Sequence, residues 1–229
     1  MVRIVRLPAL LALGFLLASG PVGASLVVLE GTIGDRDVHM VLHYRNGVTR
    51  ATYYDLADRT PVRIKPAFFS GSASPATDEL DGEGLPRARI RLQSSWYLST
   101  SPTTLGNWTH YQTGRTLPIR LSRVDDSQGR PASEAGPPLL QAASDDTFYF
   151  RAHQDERTKF IRQIHVFDKA TGALDHVVDF GRNVCAHGLE SVQVRFEAGR
   201  RMLVIEDADH CRGAIAPWSP ERRRYEALP

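Results

Sequence analysis

The chain has 229 residues, 24% of them charged, at a formal net charge of +2, and lysine occurs only at Lys65, Lys159 and Lys169, so its cations are almost all arginine. That length can bury a core as one large or two small domains. A charge balance this even excludes a nucleic-acid binder that works through bulk basicity.

Taken in chain order, Met1-Val2-Arg3-Ile4-Val5-Arg6 leads into an apolar stretch over 7–18 and then Ser19-Gly20-Pro21-Val22-Gly23-Ala24. A basic start, an apolar centre and small residues at Val22 and Ala24 predict a signal peptide over 1–24, cleaved before Ser25. An uncleaved anchor needs roughly 18 or more apolar residues in a row, which Pro8, Gly14 and Ser19-Gly20-Pro21 interrupt. With no cysteine near the cleavage site, lipoprotein attachment is excluded. Export leaves 205 residues at a formal charge of 0, since Arg3 and Arg6 depart. The expectation is a periplasmic or secreted protein with no membrane span after signal removal.

In the mature chain apolar residues recur at period two between turn dipeptides, which predicts strands. A strand over 26–32 ends at Gly34-Asp35. Residues 38–44 and 49–54 flank Asn46-Gly47, whose tolerance of positive φ predicts a β-hairpin. Over 87–92, Arg87, Arg89 and Arg91 alternate with Ala88, Ile90 and Leu92, one wet face and one core face. Strands over 108–111 and 117–124 complete an N-terminal β-rich domain, 25–129. Residues 130–143 hold three prolines and no alternation, and read as a linker with room for a short helix over 139–143. A C-terminal β-rich domain, 144–216, follows, with strands over 147–151, 160–167 and 173–180, the last two joined by Asp168-Lys169-Ala170-Thr171-Gly172. A further hairpin joins 191–196 to 201–205, with Val192, Val194 and Phe196 on its core face. The tail, 217–229, reads as a loosely ordered end. The fold class is mainly β: antiparallel sheets, sandwich or barrel-like, in two β-rich halves with little helix.

Cys185 and Cys211 are the only thiols, and in an exported chain they predict a disulfide. His187 and His210 beside them complete a donor set for tetrahedral zinc, but an oxidising compartment pairs thiols first, so no metal is assigned. Asp207 and Asp209 follow a strand and are candidate cation ligands, although Cys211 occupies the next alternate position and glycine comes late. Asp78-Glu79-Leu80-Asp81-Gly82-Glu83 reads as a solvated acidic loop docked against the arginines. Arg87, Arg89 and Arg91 form the candidate partner-binding face for a glycan carboxylate, a phosphate or an acidic protein surface. His39 and His43 share a strand face with Val41. His-Glu-x-x-His, Gly-x-Ser-x-Gly and phosphate-binding glycine loops are absent from the sequence, so zincins, α/β serine hydrolases and P-loop enzymes drop out. No catalytic residue and no cofactor is assigned.

The order strand, Asp-Lys-Ala-Thr-Gly turn, strand, cysteine, strand and Asp-rich loop, carried by residues 166–172, 191–194 and 207–213, resembles the C-terminal region of exported bacterial proteins related to periplasmic lysozyme inhibitors. The resemblance covers about fifty residues. Those relatives commonly read Asp-x-Asn-x-Asp-Gly at the acidic loop, where this chain has Asp207-Ala208-Asp209-His210-Cys211-Arg212, and Ser70-Gly71 here is not followed by their Ser-Gly-x-x-Tyr pattern. The resemblance implies an extracytoplasmic protein partner such as a cell-wall hydrolase, with no inhibitory residue assigned. The expected function is therefore an exported, non-enzymatic binding protein. The alternatives are a glycan-acting hydrolase with dispersed carboxylates, Asp207 and Asp209 first among them, and a β-barrel carrier of a small apolar ligand lined by Trp96, Tyr97, Trp108 and Tyr111.

Overall fold

A computed structural model describes residues 25–44, 47–65, 67–68, 76–93, 102–126, 138–154, 161–181, 191–206 and 212–228, and among them there are strands and turns but no helix. Nine strands come from the first part of the chain: β1 (Ser25–Ile33), β2 (Arg36–Tyr44), β3 (Gly47–Asp55), β4 (Val62–Ile64), β5 (Ala67–Phe68), β6 (Ala76–Leu80), β7 (Pro86–Leu92), β8 (Thr103–His110) and β9 (Thr116–Asp126). All but the short β5 form a closed, eight-stranded antiparallel barrel in which chain neighbours are sheet neighbours, and β9 returns to pair with β1.

The period-two pattern decides which side chains enter the barrel. From Pro86 to Leu92 exposure alternates, with Ala88, Ile90 and Leu92 buried and Arg89 and Arg91 in solvent. Leu29, Ile33, Met40, Tyr53, Ile90, Trp108, Ile119 and Leu121 fill the interior, as expected for a barrel of about eight strands whose bore is one layer of side chains wide. The β1–β2 turn is two residues long: Ile33 pairs with Arg36, and Gly34 takes a positive φ of 66° while its N–H donates to Pro118 O at 2.8 Å.

Two four-stranded antiparallel sheets follow: β10 (Leu139–Ser144), β11 (Phe148–Gln154), β12 (Ile161–Asp168) and β13 (Leu174–Asp179), then β14 (Ser191–Glu197), β15 (Arg200–Glu206), β16 (Arg212–Ser219) and β17 (Arg224–Tyr225). They share one core of Phe150, Ile164, Val166, Val192, Leu203, Ile205 and Tyr225. Side chains clasp the sheets together at their edges. Gln141 Oε1 accepts from Val192 N at 3.3 Å, and His176 Nε2 accepts from Tyr225 N at 3.1 Å. A third cluster joins barrel to sheets, with Val28, Val41 and Tyr54 of the barrel wall against Leu139, Leu140 and Tyr149.

Four local expectations are corrected. Residues 139–144 form β10 rather than a helix in a linker, because Leu139 and Leu140 bury against the barrel and Gln141 against β14. The acidic run begins inside β6 rather than in a loop, with Glu79 wholly buried. Residues 217–228 are not a loose end: β16 runs to Ser219, and Tyr225 is 2% exposed. Phe196, placed by alternation on the core face, is 75% exposed, since it lies at the hairpin tip beyond the reach of the facing sheet.

Candidate recognition surface

The three arginines of β7 divide. Arg87 stands where a bulge between Glu79 and Leu80 shifts the β6–β7 register, and its Nε donates to Glu79 Oε1. Glu79 is fully buried, and its second oxygen accepts from Tyr53 Oη and from Trp108 Nε1, the latter at 2.7 Å. Three donors from three strands thus satisfy one carboxylate that burial alone would make prohibitive. Burial first, and the Glu79 carboxylate second, hold the Tyr53 phenol well above its ordinary value, so it remains a donor. Arg36, whose guanidinium carbon lies 5.4 Å from the Trp108 ring, acts on Tyr53 as Arg87 does.

Arg89 and Arg91 point outward. Arg89 Nε donates to Tyr111 Oη at 3.2 Å, and Tyr111 Oη donates to Asp78 Oδ1. This chain holds Arg89 in place on the wall. Across the sheet Arg89 pairs with Thr109 and Thr109 with Thr116, while Arg91 pairs with Asn107 and Asn107 with Pro118. One row further, Leu105 pairs with Arg120, which is also exposed. At strand spacings of about 4.8 Å and about 6.8 Å between same-face residues, Arg89, Arg91 and Arg120 make a triangle roughly 7–17 Å on a side. Arg120 was legible in the alternation of 117–124, but only strand pairing brings it beside the arginines of β7.

The other candidates separate. Cys185, Cys211, Asp207, Asp209, His187, His210, Trp96 and Tyr97 lie outside the described residues. Trp108 belongs to the barrel interior and Tyr111 to its outside, so they do not line one cavity. His39 is committed to Glu30, 3.1 Å away, and stacks on Tyr54. Among the described residues no group of three or more His, Cys, Asp or Glu is arranged to hold a metal ion.

No protein-family description and no curated protein matches the chain. The reading of its surface therefore rests on geometry. A cleft of about 790 Å³ between barrel and sheets is lined by Asp58, Asp145, Asp168 and Lys169. Three of its four carboxylates are spent on turns, Asp146 being the fourth: Asp58 Oδ1 accepts from Thr60 N, Asp145 Oδ1 from Thr147 N and Phe148 N, and Asp168 Oδ1 from Thr171 N and Thr171 Oγ1. The outer wall of β7–β9, by contrast, presents guanidinium groups to solvent.

Proposed function

We propose that this protein is an exported, non-enzymatic binding protein, and that the outer barrel wall around Arg89, Arg91 and Arg120 recognises a carboxylate-bearing protein partner, the catalytic cleft of a cell-wall glycan hydrolase. The observation that carries this reading is the exposed triangle of guanidinium groups on a rigid sheet, one of them oriented by Tyr111 and Asp78. Guanidinium forks match carboxylates in a bidentate way, and glycan hydrolases cut with a pair of carboxylates. The resemblance of residues 161–213 to relatives of lysozyme inhibitors points to the same class of partner. A rigid wall supports recognition because little ordering entropy is lost on docking.

The closed barrel also suits a small-ligand carrier, but its described interior is occupied by Tyr53, Trp108, Met40 and aliphatic side chains, so that reading is set aside. The test is turnover of a set of cell-wall lysozymes with the mature chain in molar excess. Turnover should fall, recover in added salt, and be restored in an Arg89→Ala/Arg91→Ala variant. Undiminished turnover by every lysozyme tried would remove the hydrolase as partner. Full inhibition by the double variant would remove the wall as the surface.

A further inference from the structure

Two half-buried guanidinium groups here have a carboxylate: Arg87 has Glu79, and Arg201 has Asp145 at 3.2 Å. Arg151, at the seam between barrel and sheets, pairs with no carboxylate among the described residues. Its Nη2 donates to Tyr54 Oη at 2.5 Å, and its Nε is buried with no hydrogen-bond partner. Aromatic rings surround it, with its guanidinium carbon 5.9 Å from the Tyr54 ring, 5.9 Å from Tyr149 and 5.1 Å from Phe167. Ring faces stabilise a cation but supply no acceptor for its remaining N–H groups.

Imidazoles gather on the same ground. His165 faces Arg151 directly across the β11–β12 pair, and the His153 ring lies 4.7 Å from that of His165. His39 approaches from the barrel wall, stacked on Tyr54 at 5.4 Å. Arg151, His153 and His165 are half-buried and so remain in reach of solvent. A carboxylate reaches this group through His39: Glu30, whose side chain is 57% exposed, binds that imidazole.

We propose that this seam is a binding site for a small oxyanion, a carboxylate or phosphate group, held by Arg151 with His153 and His165 as further donors. An oxyanion there supplies the acceptors that the guanidinium fork lacks and the negative charge that Arg151 lacks, with the neutral imidazoles able to donate to it. Burial, with Arg151 and His153 adding to it, lowers the imidazole of His165 below its ordinary value. A bound anion reverses that field, so binding and protonation of His165 reinforce each other. The proposal is independent of the outer wall, where neither Arg151 nor its neighbours lie.

The test is NMR of the histidine side chains of the mature chain near pH 6, titrated separately with inorganic phosphate and with succinate, each against sodium chloride at matched ionic strength. His153 and His165 should shift saturably with one or both oxyanions, and their titration midpoints should rise. The two arms distinguish phosphate from carboxylate chemistry. Arg151→Met, which keeps the apolar contact with the rings, should weaken binding by about tenfold or more, as expected for loss of a charged hydrogen-bonding partner. Should that variant not fold, His165→Gln takes its place, with a smaller loss expected. Shifts that never saturate, that sodium chloride reproduces, or that persist at unchanged affinity in the variant would overturn the site.

Discussion

Glu79 and Arg151 are both charged side chains drawn out of water, one inside the barrel and one at the seam. Glu79 receives three donors from β3, β7 and β8. Arg151 gives one N–H to Tyr54 and keeps a buried Nε without an acceptor. A closed network of the first kind fixes strands relative to one another. The second kind leaves interaction capacity unspent; Arg36 Nη2 in the barrel is likewise buried without a partner, but it is beside Arg151 that a pair of imidazoles stands, which is why we place recognition of a small anion at the seam.

The contrast is broken most directly by Glu79→Ala. It strands Tyr53 Oη and Trp108 Nε1 inside the barrel and should cost about 3–5 kcal/mol in denaturant unfolding. A loss below about 1 kcal/mol would mean that the network is not holding the barrel. Tyr54→Phe keeps the ring contacts with His39 and Tyr149 but removes the acceptor of Arg151, and should cost about 1–2 kcal/mol.

Acidification sharpens the comparison from the seam side. Burial first, aided by Arg151 and opposed by Glu30, lowers the imidazole of His39 from 6.5; burial also lowers His153, and burial with His153 and Arg151 lowers His165. The unfolded chain therefore takes up protons that the folded one resists. Their contribution is fully present above the unfolded value and is lost as pH falls through the folded values. The thermal midpoint should drop between about pH 7 and about pH 5 in low-phosphate buffer, with a shallower slope in a His153→Gln/His165→Gln variant. An identical slope in that variant would take the two imidazoles out of the account. At the small end, Arg89→Ala/Arg91→Ala should stay within about 0.5 kcal/mol of the parent in denaturant unfolding, because both side chains are exposed; a larger loss would assign the wall a structural rather than a recognition role.

Most strands were legible from the sequence: β1, the β2–β3 hairpin, β7, β9 and β11 to β15 all stand where they were expected, and β7 and β9 keep the alternating burial that period two implies. The strands that were not legible break the pattern. In β10, Leu139, Leu140 and Gln141 are buried in succession because barrel and sandwich both press on it, so alternation vanishes. In β6 the carboxylates imitate a solvated loop, since the donors that make Glu79 tolerable sit 26 and 29 residues away and, for Arg87, across a bulge. β16 carries Pro217, which reads as a breaker until it is seen pairing with Met202 near the sheet's end. Of the candidate surface, Arg89 and Arg91 followed from alternation, whereas Arg120 needed strand order. The seam needed the whole fold, because Tyr54 and Arg151 are 97 residues apart.

The clasps at Gln141 and His176 bear on how the chain behaves in company. A sheet edge offers bare amides to any passing strand, the usual seed of intermolecular stacking. Here Val192 N and Tyr225 N are capped by side chains of the same molecule. The sandwich thereby approaches the edgeless condition that the barrel attains through backbone pairing, and substitution at either clasp should show first as self-association in concentrated solution.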